Sequence, residues 1–298
     1  MSLIRCPLND AAFISINRQA LLGPEGALLF SDLEQCVRGT AQLLLTAGCR
    51  PTERLALAAP TGWRGVVVLL GAIRAGLVAC PLPPATPAAS ASPLAALGAV
   101  PWVGATAPPN GHSAIRQTWT WEALTGFTAP LPRHEIIRLP AETLTTICWN
   151  PGAPPTPESA RGYSWGDHYY RARRINQRLR LHSGDICLLQ TPPGTIGACD
   201  LLFSTLLAGA ALALPAAAPL TDNLITHEAT IAWVTEPALA TALDNGLCAK
   251  MIPTLRALII ETPTISSALS AAARAAGLTV QAAPEQPENQ AGQRQVNG

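Results

Sequence analysis

The sequence predicts an α/β protein built from two stacked parallel-sheet subdomains. Three observations predict it: a strand–helix–strand pattern that occurs twice, glycines that close its helices, and prolines that stop its strands. The first copy reads "VRGTAQLLLTAGCRPTERLALAAPTGWRGVVVLLGAIRAGLVACPLP", residues 37–83. The second reads "RARRINQRLRLHSGDICLLQTPPGTIGACDLLFSTLLAGAALALP", residues 171–215. Each opens with a helix-length segment, closed by Gly48 or by the Ser183–Gly184 turn. A short apolar strand follows, Leu55 to Ala59 or Ile186 to Gln190, and stops at Pro60 or Pro192. An apolar helix then runs to Ala75–Gly76 or Ala208–Gly209, and a further strand ends in proline. Glycine just past a helix supplies the left-handed residue that terminates it, while proline lacks the N–H that a strand needs to continue its ladder. Strand–helix–strand within one sheet implies parallel strands and a right-handed crossover. Two such units predict α/β layers, not a bundle or a β-sandwich.

Beyond the second unit the pattern continues with a strand over 230–235, a helix near 238–245 and a strand over 255–260. "SSALSAAARAAG" is a helix with Ser266 or Ser267 as its cap and Gly277 as its stop. A strand over 279–281 is the last element. The expected division is a first subdomain over 1–142, a second over 143–283 and a disordered polar tail over 284–298, "PEQPENQAGQRQVNG". Residues 84–140 are rich in Ala, Pro and Thr, and "WTWEAL" within them reads either as a strand edge or as a helix start.

Composition narrows the function classes. Nearly half of the 298 residues are hydrophobic, enough for a substantial core, and the formal charge of +1 gives no global field towards nucleic acid or an acidic surface. Charged residues are only 13 % of the chain, against roughly a quarter in ordinary soluble proteins, which leaves room for a partner surface. The eight cysteines lack metal-ligand spacing and sit mostly in apolar runs, as free buried thiols of a reducing compartment would. No export signal opens the chain, and the longest apolar stretch, 201–214, is too short to span a bilayer. A cytoplasmic location is expected, with no membrane and no nucleic acid among the partners.

The order of elements resembles the N-terminal domain of the adenylate-forming superfamily, which includes acyl- and aryl-CoA ligases, peptide-synthetase adenylation domains and luciferases. The resemblance runs from about Leu28 to Val280. It is clearest in "LLFSDLEQCVRGTAQLLLTAGCRPTERLALAAPTGWRGVVVLLGAIRAGLVACPLPPATP" and returns in "LHSGDICLLQTP", "LLAGAALALP" and "LRALIIETPTISSALSAAARAAG". These are scaffold segments. They imply the fold, with the family's C-terminal domain lying outside these residues.

The family's chemical motifs match poorly. Its phosphate loop reads roughly Ser-Gly-Thr-Thr-Gly-x-Pro-Lys-Gly after a strand, here the apolar run Leu144 to Trp149. The matching run is Pro151, Gly152, Ala153, Pro154, Pro155, Thr156, Pro157, Glu158 and Ser159, in which only Gly152 and Pro157 agree. Such a loop cradles phosphate with successive backbone N–H groups, and each proline removes one. Glu158 stands where the lysine would, and like charges about 4 Å apart near a surface repel by roughly 4 kcal/mol at an effective dielectric of about 20. Arg161 is either a substitute for that lysine or a solvated loop arginine. Thr195 occupies the position of a family histidine or aromatic, and the Gly-Gly-Ala turn aligns with Glu261, Thr262 and Pro263. No Tyr-Gly-x-Thr-Glu run follows residue 281; Glu285 and Glu288 replace its magnesium-holding glutamate only out of register. Lys250, the only lysine, comes too early to be the family's catalytic one.

Other constellations have ordinary readings beside sharp ones. Arg171, Arg174 and Arg178 lie at helical spacing, as a docking face for a phosphate-bearing partner or as a solvated helix face. Trp149 and Trp165 bracket the loop and serve an acyl pocket or simple packing. The five histidines show no ligand pairing, no serine sits in a Gly-x-Ser-x-Gly elbow, and Asp185 reads as a turn or cap residue. The reading that follows is a catalytically degenerate domain, with no catalytic or metal-binding residue and no cofactor. It would act as an accessory or partner-binding subunit for an acyl carrier protein or a paralogous adenylating enzyme. The alternative is a divergent acyl- or aryl-acid ligase whose C-terminal domain is supplied in trans. It would use ATP and magnesium, with Gly152, Thr156 and Arg161 as phosphate contacts.

Overall fold

The structure, a computed structural model, describes residues 2–58, 62–82, 100–104, 115–126, 129, 138–149, 160–191, 194–215 and 218–284. Two sheets dominate. The first holds β4 (Arg54–Ala58), β5 (Val78–Leu82), β6 (Val100–Val103), β7 (Ile115–Trp119), β9 (Leu144–Trp149) and β10 (Ala160–Ser164), in the order β10-β9-β5-β4-β6-β7. The second holds β2 (Gln19–Gly23), β3 (Gly26–Leu29), β11 (Ile186–Leu189), β12 (Ala211–Ala213), β13 (Ile231–Val234), β14 (Ala257–Ile260) and β15 (Val280–Ala282), in the order β15-β14-β13-β11-β12-β2-β3. Pairing is parallel except in the hairpins β9–β10 and β2–β3. A small antiparallel pair joins β1 (Leu3–Arg5) to β8 (Arg138–Pro140).

The repeated unit folds in the expected order, except that the first helix of the second copy, Trp165–Leu179, closes on Arg180 in the left-handed conformation (φ 51°) and not at the Ser183–Gly184 turn. In the first copy α2 (Phe30–Thr46) leads to β4, then to α3 (Gly62–Arg74) and β5. In the second, α5 (Trp165–Leu179) leads to β11, α6 (Ile196–Ala208) and β12. Gly48, Gly76 and Gly209 all have positive φ, the left-handed conformation that ends a helix without a Cβ penalty. Ser164 caps α5 by accepting from the Asp167 N–H at 3.2 Å, while Asp167 accepts from the Ser164 N–H at 2.8 Å, a reciprocal capping box. Further on, α8 (Glu236–Asp244) and α9 (Ser267–Ala275) follow β13 and β14. Ser266 is the α9 cap, accepting from Leu269 N–H at 3.4 Å, and Gly277 turns the chain at φ 76°.

Alternation along the strands sorts side chains onto two faces. Leu55 and Leu57 of β4, Cys148 of β9, Cys187 and Leu189 of β11, Ile231 and Trp233 of β13, and Ala257 and Ile259 of β14 all enter one core. That core also takes buried residues from α2, α3, α5 and α6, so this helical layer lies between the two sheets. The opposite face of the second sheet, with Leu188, Ala232, Val234, Leu258 and Ile260, packs on α7 (Leu220–Thr226), α8 and α9. Ala56, Ile147 and Trp149 belong to a third cluster on the outer face of the first sheet.

Several features were not in the sequence reading. Strand membership does not follow the boundary at residue 142: β2 and β3 extend the second sheet, and β9 and β10 extend the first. Both are hairpins added at a sheet edge, and edge placement depends on which neighbour offers free backbone groups, not on chain order. A helix α1 (Pro7–Ile14) packs near the N-terminus. "WTWEAL" serves both uses: β7 ends at Trp119, and Thr120 caps α4 (Trp121–Thr125) by accepting from Ala123 N–H at 3.2 Å. Nearly all of the expected tail, 285–298, and much of 84–140 lie outside the described residues.

Each helix pair of the repeat is clamped by one buried ion pair. Arg74 of α3 grips Glu34 of α2 through two bonds of 2.7 and 2.8 Å, with 9 % and 1 % of the side chains exposed. Arg171 of α5 grips Asp200 of α6, with Nε 2.8 Å from Oδ1. Breaking such a pair strands one charge in the core. Glu34→Ala is expected to cost about 3–5 kcal/mol, read as a lower urea midpoint, whereas an exposed control such as Glu228→Ala should change it by under about 0.5 kcal/mol.

Candidate functional site

In open α/β sheets ligands bind beyond the carboxyl ends of the strands, where successive connections leave in opposite directions. In the second sheet the chain passes from β11 to β12 on one side and then crosses back to β13, β14 and β15 on the other. The switch point therefore lies between β11 and β13. Strand parity decides which residues enter it from the helical side. Cys187 and Leu189 face the inner core, so the next inward position past β11 is Thr191; beyond β14, Ala257 and Ile259 give way to Glu261.

Glu261 reaches the N-terminus of α6. Thr195 is its cap, accepting from Ala198 N–H at 3.3 Å, and the same hydroxyl donates to Glu261 Oε1. Glu261 is 9 % exposed and has no cation partner among the described residues; burial raises its pKa above the ordinary 4.5, and the Thr195 hydrogen bond only partly offsets this. Thr191 Oγ1 and Trp233 Nε1 are buried without a hydrogen-bond partner. Trp233 packs against the start of α6: a Cβ on Gly197 would fall 2.8 Å from its Nε1.

The end of β9 lies beside this cluster. Trp149, the last residue of β9, bridges to Thr195, donates its backbone N–H to Gly194 O at 3.3 Å and anchors its ring N–H on Pro81 O at 2.9 Å. Trp149 pairs with Ala160 in the antiparallel β9–β10 ladder. Gly152, Thr156 and Glu158 lie outside the described residues. Arg161 does not lie in a loop. It stands in β10, opposite Cys148, exposed and at the foot of that hairpin, with Nη1 donating to Ala160 O at 3.0 Å. The hairpin register was invisible because Ala-Arg-Gly-Tyr-Ser after a proline run carries little strand signal.

Other candidates resolve into packing. Arg171 is not on a docking face; it is the buried partner of Asp200, while Arg178 donates to Gln281 Oε1 at 3.1 Å. Trp165 is buried against Phe203, edge-on with ring centroids 5.6 Å apart. His168 is sealed among Tyr163, Phe203 and Thr146, and burial holds its imidazole neutral, with its pKa lowered to about 3. Glu285 and Glu288 lie outside the described residues. All eight cysteines are free and six are buried; Cys148 and Cys199 have sulfurs 3.7 Å apart. Among the described residues no group of three or more His, Cys, Asp or Glu could hold a metal ion, and no helix is long and apolar enough to cross a membrane.

Asp185 is at the opposite, amino-terminal edge of the sheet, as a latch. Burial alone would raise its carboxyl, but the His182 N–H at 2.9 Å, Arg256 at 2.7 Å and Thr230 at 2.8 Å together hold it below the ordinary 3.8. A depressed folded pKa gives stability that is present above the unfolded value and disappears as pH falls through the folded one. Asp185→Asn should therefore unfold at lower denaturant than the parent at pH 7, with the gap closing below about pH 4. Gly197→Ala tests the packing above: Trp233 must move, and a loss of about 1–3 kcal/mol is expected in urea unfolding.

A model of the family described as "AMP-binding enzyme" matches residues 8–97. The AMB antimetabolite synthetase AmbE of Pseudomonas aeruginosa is 32 % identical over 112 residues, which is 38 % of this chain and 5 % of that protein. The unliganded O-succinylbenzoate coenzyme A synthetase (MenE) of Bacillus subtilis superposes with a TM-score of 0.80 at 17 % identity, covering 94 % of this chain and 58 % of that one. VinN in complex with L-aspartate gives 0.76 at 19 % identity, covering 93 % and 76 %. The chain thus spans only part of the length of each. It has the fold of the N-terminal domain of adenylate-forming enzymes, and over residues 8–97 its sequence is AMP-binding-enzyme-like.

Proposed function

We propose that this chain is a catalytically degenerate AMP-binding-enzyme-like domain that serves as an accessory or partner-binding subunit. Its partner would be an acyl carrier protein or a paralogous adenylating enzyme. The observation that carries the reading is Glu261. The N-terminus of α6 carries about half a positive charge and unpaired N–H groups, a ready site for an external anion. Here the chain's own carboxylate is hydrogen-bonded to the cap residue of that helix. A phosphate approaching the switch point would meet that charge in a poorly solvated setting, where repulsion is several-fold stronger than in water. The sequence adds Glu158 and four prolines in the neighbouring loop, which further reduce the donors available.

A second reading, a divergent acyl- or aryl-acid ligase completed in trans, is favoured by one observation. Arg161 is exposed at the foot of the loop hairpin, on the β9–β10 face that includes Cys148 and Tyr163. From there a guanidinium could serve a phosphate that Gly152 and Thr156 would also contact.

Calorimetry with ATP and magnesium separates the two. No binding is expected, and micromolar affinity would overturn the degenerate reading. Acid-dependent pyrophosphate exchange on adding a C-terminal domain would support the second reading.

A further inference from the structure

Helix α5 carries an exposed stripe that takes no part in the switch-point site. Its buried residues Trp165, His168, Ala172, Ile175 and Leu179 pack inward. Tyr170, Arg173, Arg174, Gln177 and Arg178 are exposed, at the i, i+3, i+4, i+7 and i+8 spacing of a single helix face. Arg180, just past the last turn, is exposed beside them. The one acidic residue of the helix, Asp167, is engaged in the capping box. No carboxylate pairs with Arg173, Arg174, Arg178 or Arg180 among the described residues. Residues 165–180 hold five arginines and one aspartate, a net +4, so with a formal total of +1 the rest of the chain carries −3.

A solvated helix face ordinarily mixes its signs, because opposite charges four residues apart support a helix and like charges weaken it. Arg174 and Arg178 are a like pair at that spacing. The helix C-terminus favours cations in its last turn, which accounts for Arg178 and Arg180 but not for Arg173 and Arg174 before it. Tyr170 adds an aromatic ring 53 % exposed in the middle of the polar face. Tyrosine and arginine are the residue types enriched at protein interfaces. Two of the arginines are already steadied: Arg173 lies 5.9 Å over the Tyr169 ring, and Arg178 donates to Gln281 Oε1 at 3.1 Å. We infer that this stripe is the docking surface for an acidic amphipathic helix on a protein partner. Tyr170 to Arg178 spans about 12 Å, so carboxylates on successive turns of one partner helix match Arg174 and Arg178, while Tyr170 covers an apolar neighbour. A long polyanion or an anionic membrane would meet a net-negative chain beyond the stripe, and is disfavoured. The surface deepens the accessory reading and rests on it for the existence of a protein partner.

The whole chain is titrated by calorimetry with a synthetic helical peptide that carries glutamates along one face and leucines beside them. An isomer of the same composition in scrambled order is the control. Saturable binding of the patterned peptide is expected, weakening with added salt, with the isomer about fivefold weaker or more. Arg174→Glu should weaken the patterned peptide by about tenfold or more, since an attraction becomes a repulsion, and Tyr170→Ala by about threefold. Arg274→Glu makes the same reversal at an exposed site on α9 and should change affinity by under about twofold. Circular dichroism and urea midpoints establish that the variants fold; if Arg174→Glu does not, Arg178→Glu decides on the same terms. No binding of the patterned peptide, equal binding of the isomer, or an equal loss in Arg274→Glu overturns the surface. Tighter binding of duplex DNA or of phosphatidylglycerol vesicles than of the peptide overturns it as well. ATP with magnesium is titrated into the same protein: its binding overturns the degenerate reading, while the peptide alone decides the surface, so the two failures are distinguishable.

Discussion

The helical layer between the two sheets constrains everything built on it. A helix packed on a sheet from one side needs one apolar stripe, but α6 is covered on nearly every side and eleven of its thirteen residues are buried. Polar side chains within it must therefore find partners nearby. Ser204 and Thr205 donate to their own helix, to Asp200 O and Leu201 O at 2.5 and 2.7 Å. Asp200 reaches Arg171 on α5, and His168 shares a hydrogen bond with Thr146 from the first sheet. The same layer between β4–β5 and β2 carries the Glu34–Arg74 pair. These contacts give little net stability beyond what a well-packed apolar core would, but they hold each helix in one rotation and one height.

Height matters because the α6 N-terminus meets the chain beyond β14 at the switch point, through Thr195 and Glu261. One hydroxyl, that of Thr195, completes the helix cap and orients Glu261. Strand parity brings Glu261 inward past the end of β14, in the register that buries Ala257 and Ile259. A slip of one residue in β14 would turn the carboxylate to the outer face and expose the core. The position of that charge is thus fixed by the same alternation that builds the sheet. The β9 strand joins the arrangement through Trp149, which bridges to Thr195.

Much of the scaffold was legible because its signals are local. Gly48, Gly76, Gly209 and Gly277 have the left-handed φ that a helix stop requires, and Ser266 caps its helix as its hydroxyl allows. The hairpins were not legible, since an edge strand such as Gly26–Leu29 is short and its pairing is decided by a sheet assembled from residues far along the chain. Arg171 misled for a related reason. Its helical spacing with Arg174 and Arg178 is real, but spacing cannot show that Asp200 waits on the facing helix. Of the site, Thr195 and Glu261 were readable as positions aligned with known motifs, and their contact with each other was not, because 66 residues separate them.

Chemistry at the switch point depends on the sign of one charge more than on the integrity of the fold. A scaffold that retains its sheets, its switch point and an exposed helix N-terminus keeps an anion site by default. Losing that capacity takes a side chain that supplies the anion itself, held where the helix end would otherwise be free. Under the proposed reading Glu261 would do this while accepting a hydrogen bond from the cap hydroxyl. Burial nonetheless keeps its carboxyl costly to ionise, and that cost persists until a cation or a proton arrives.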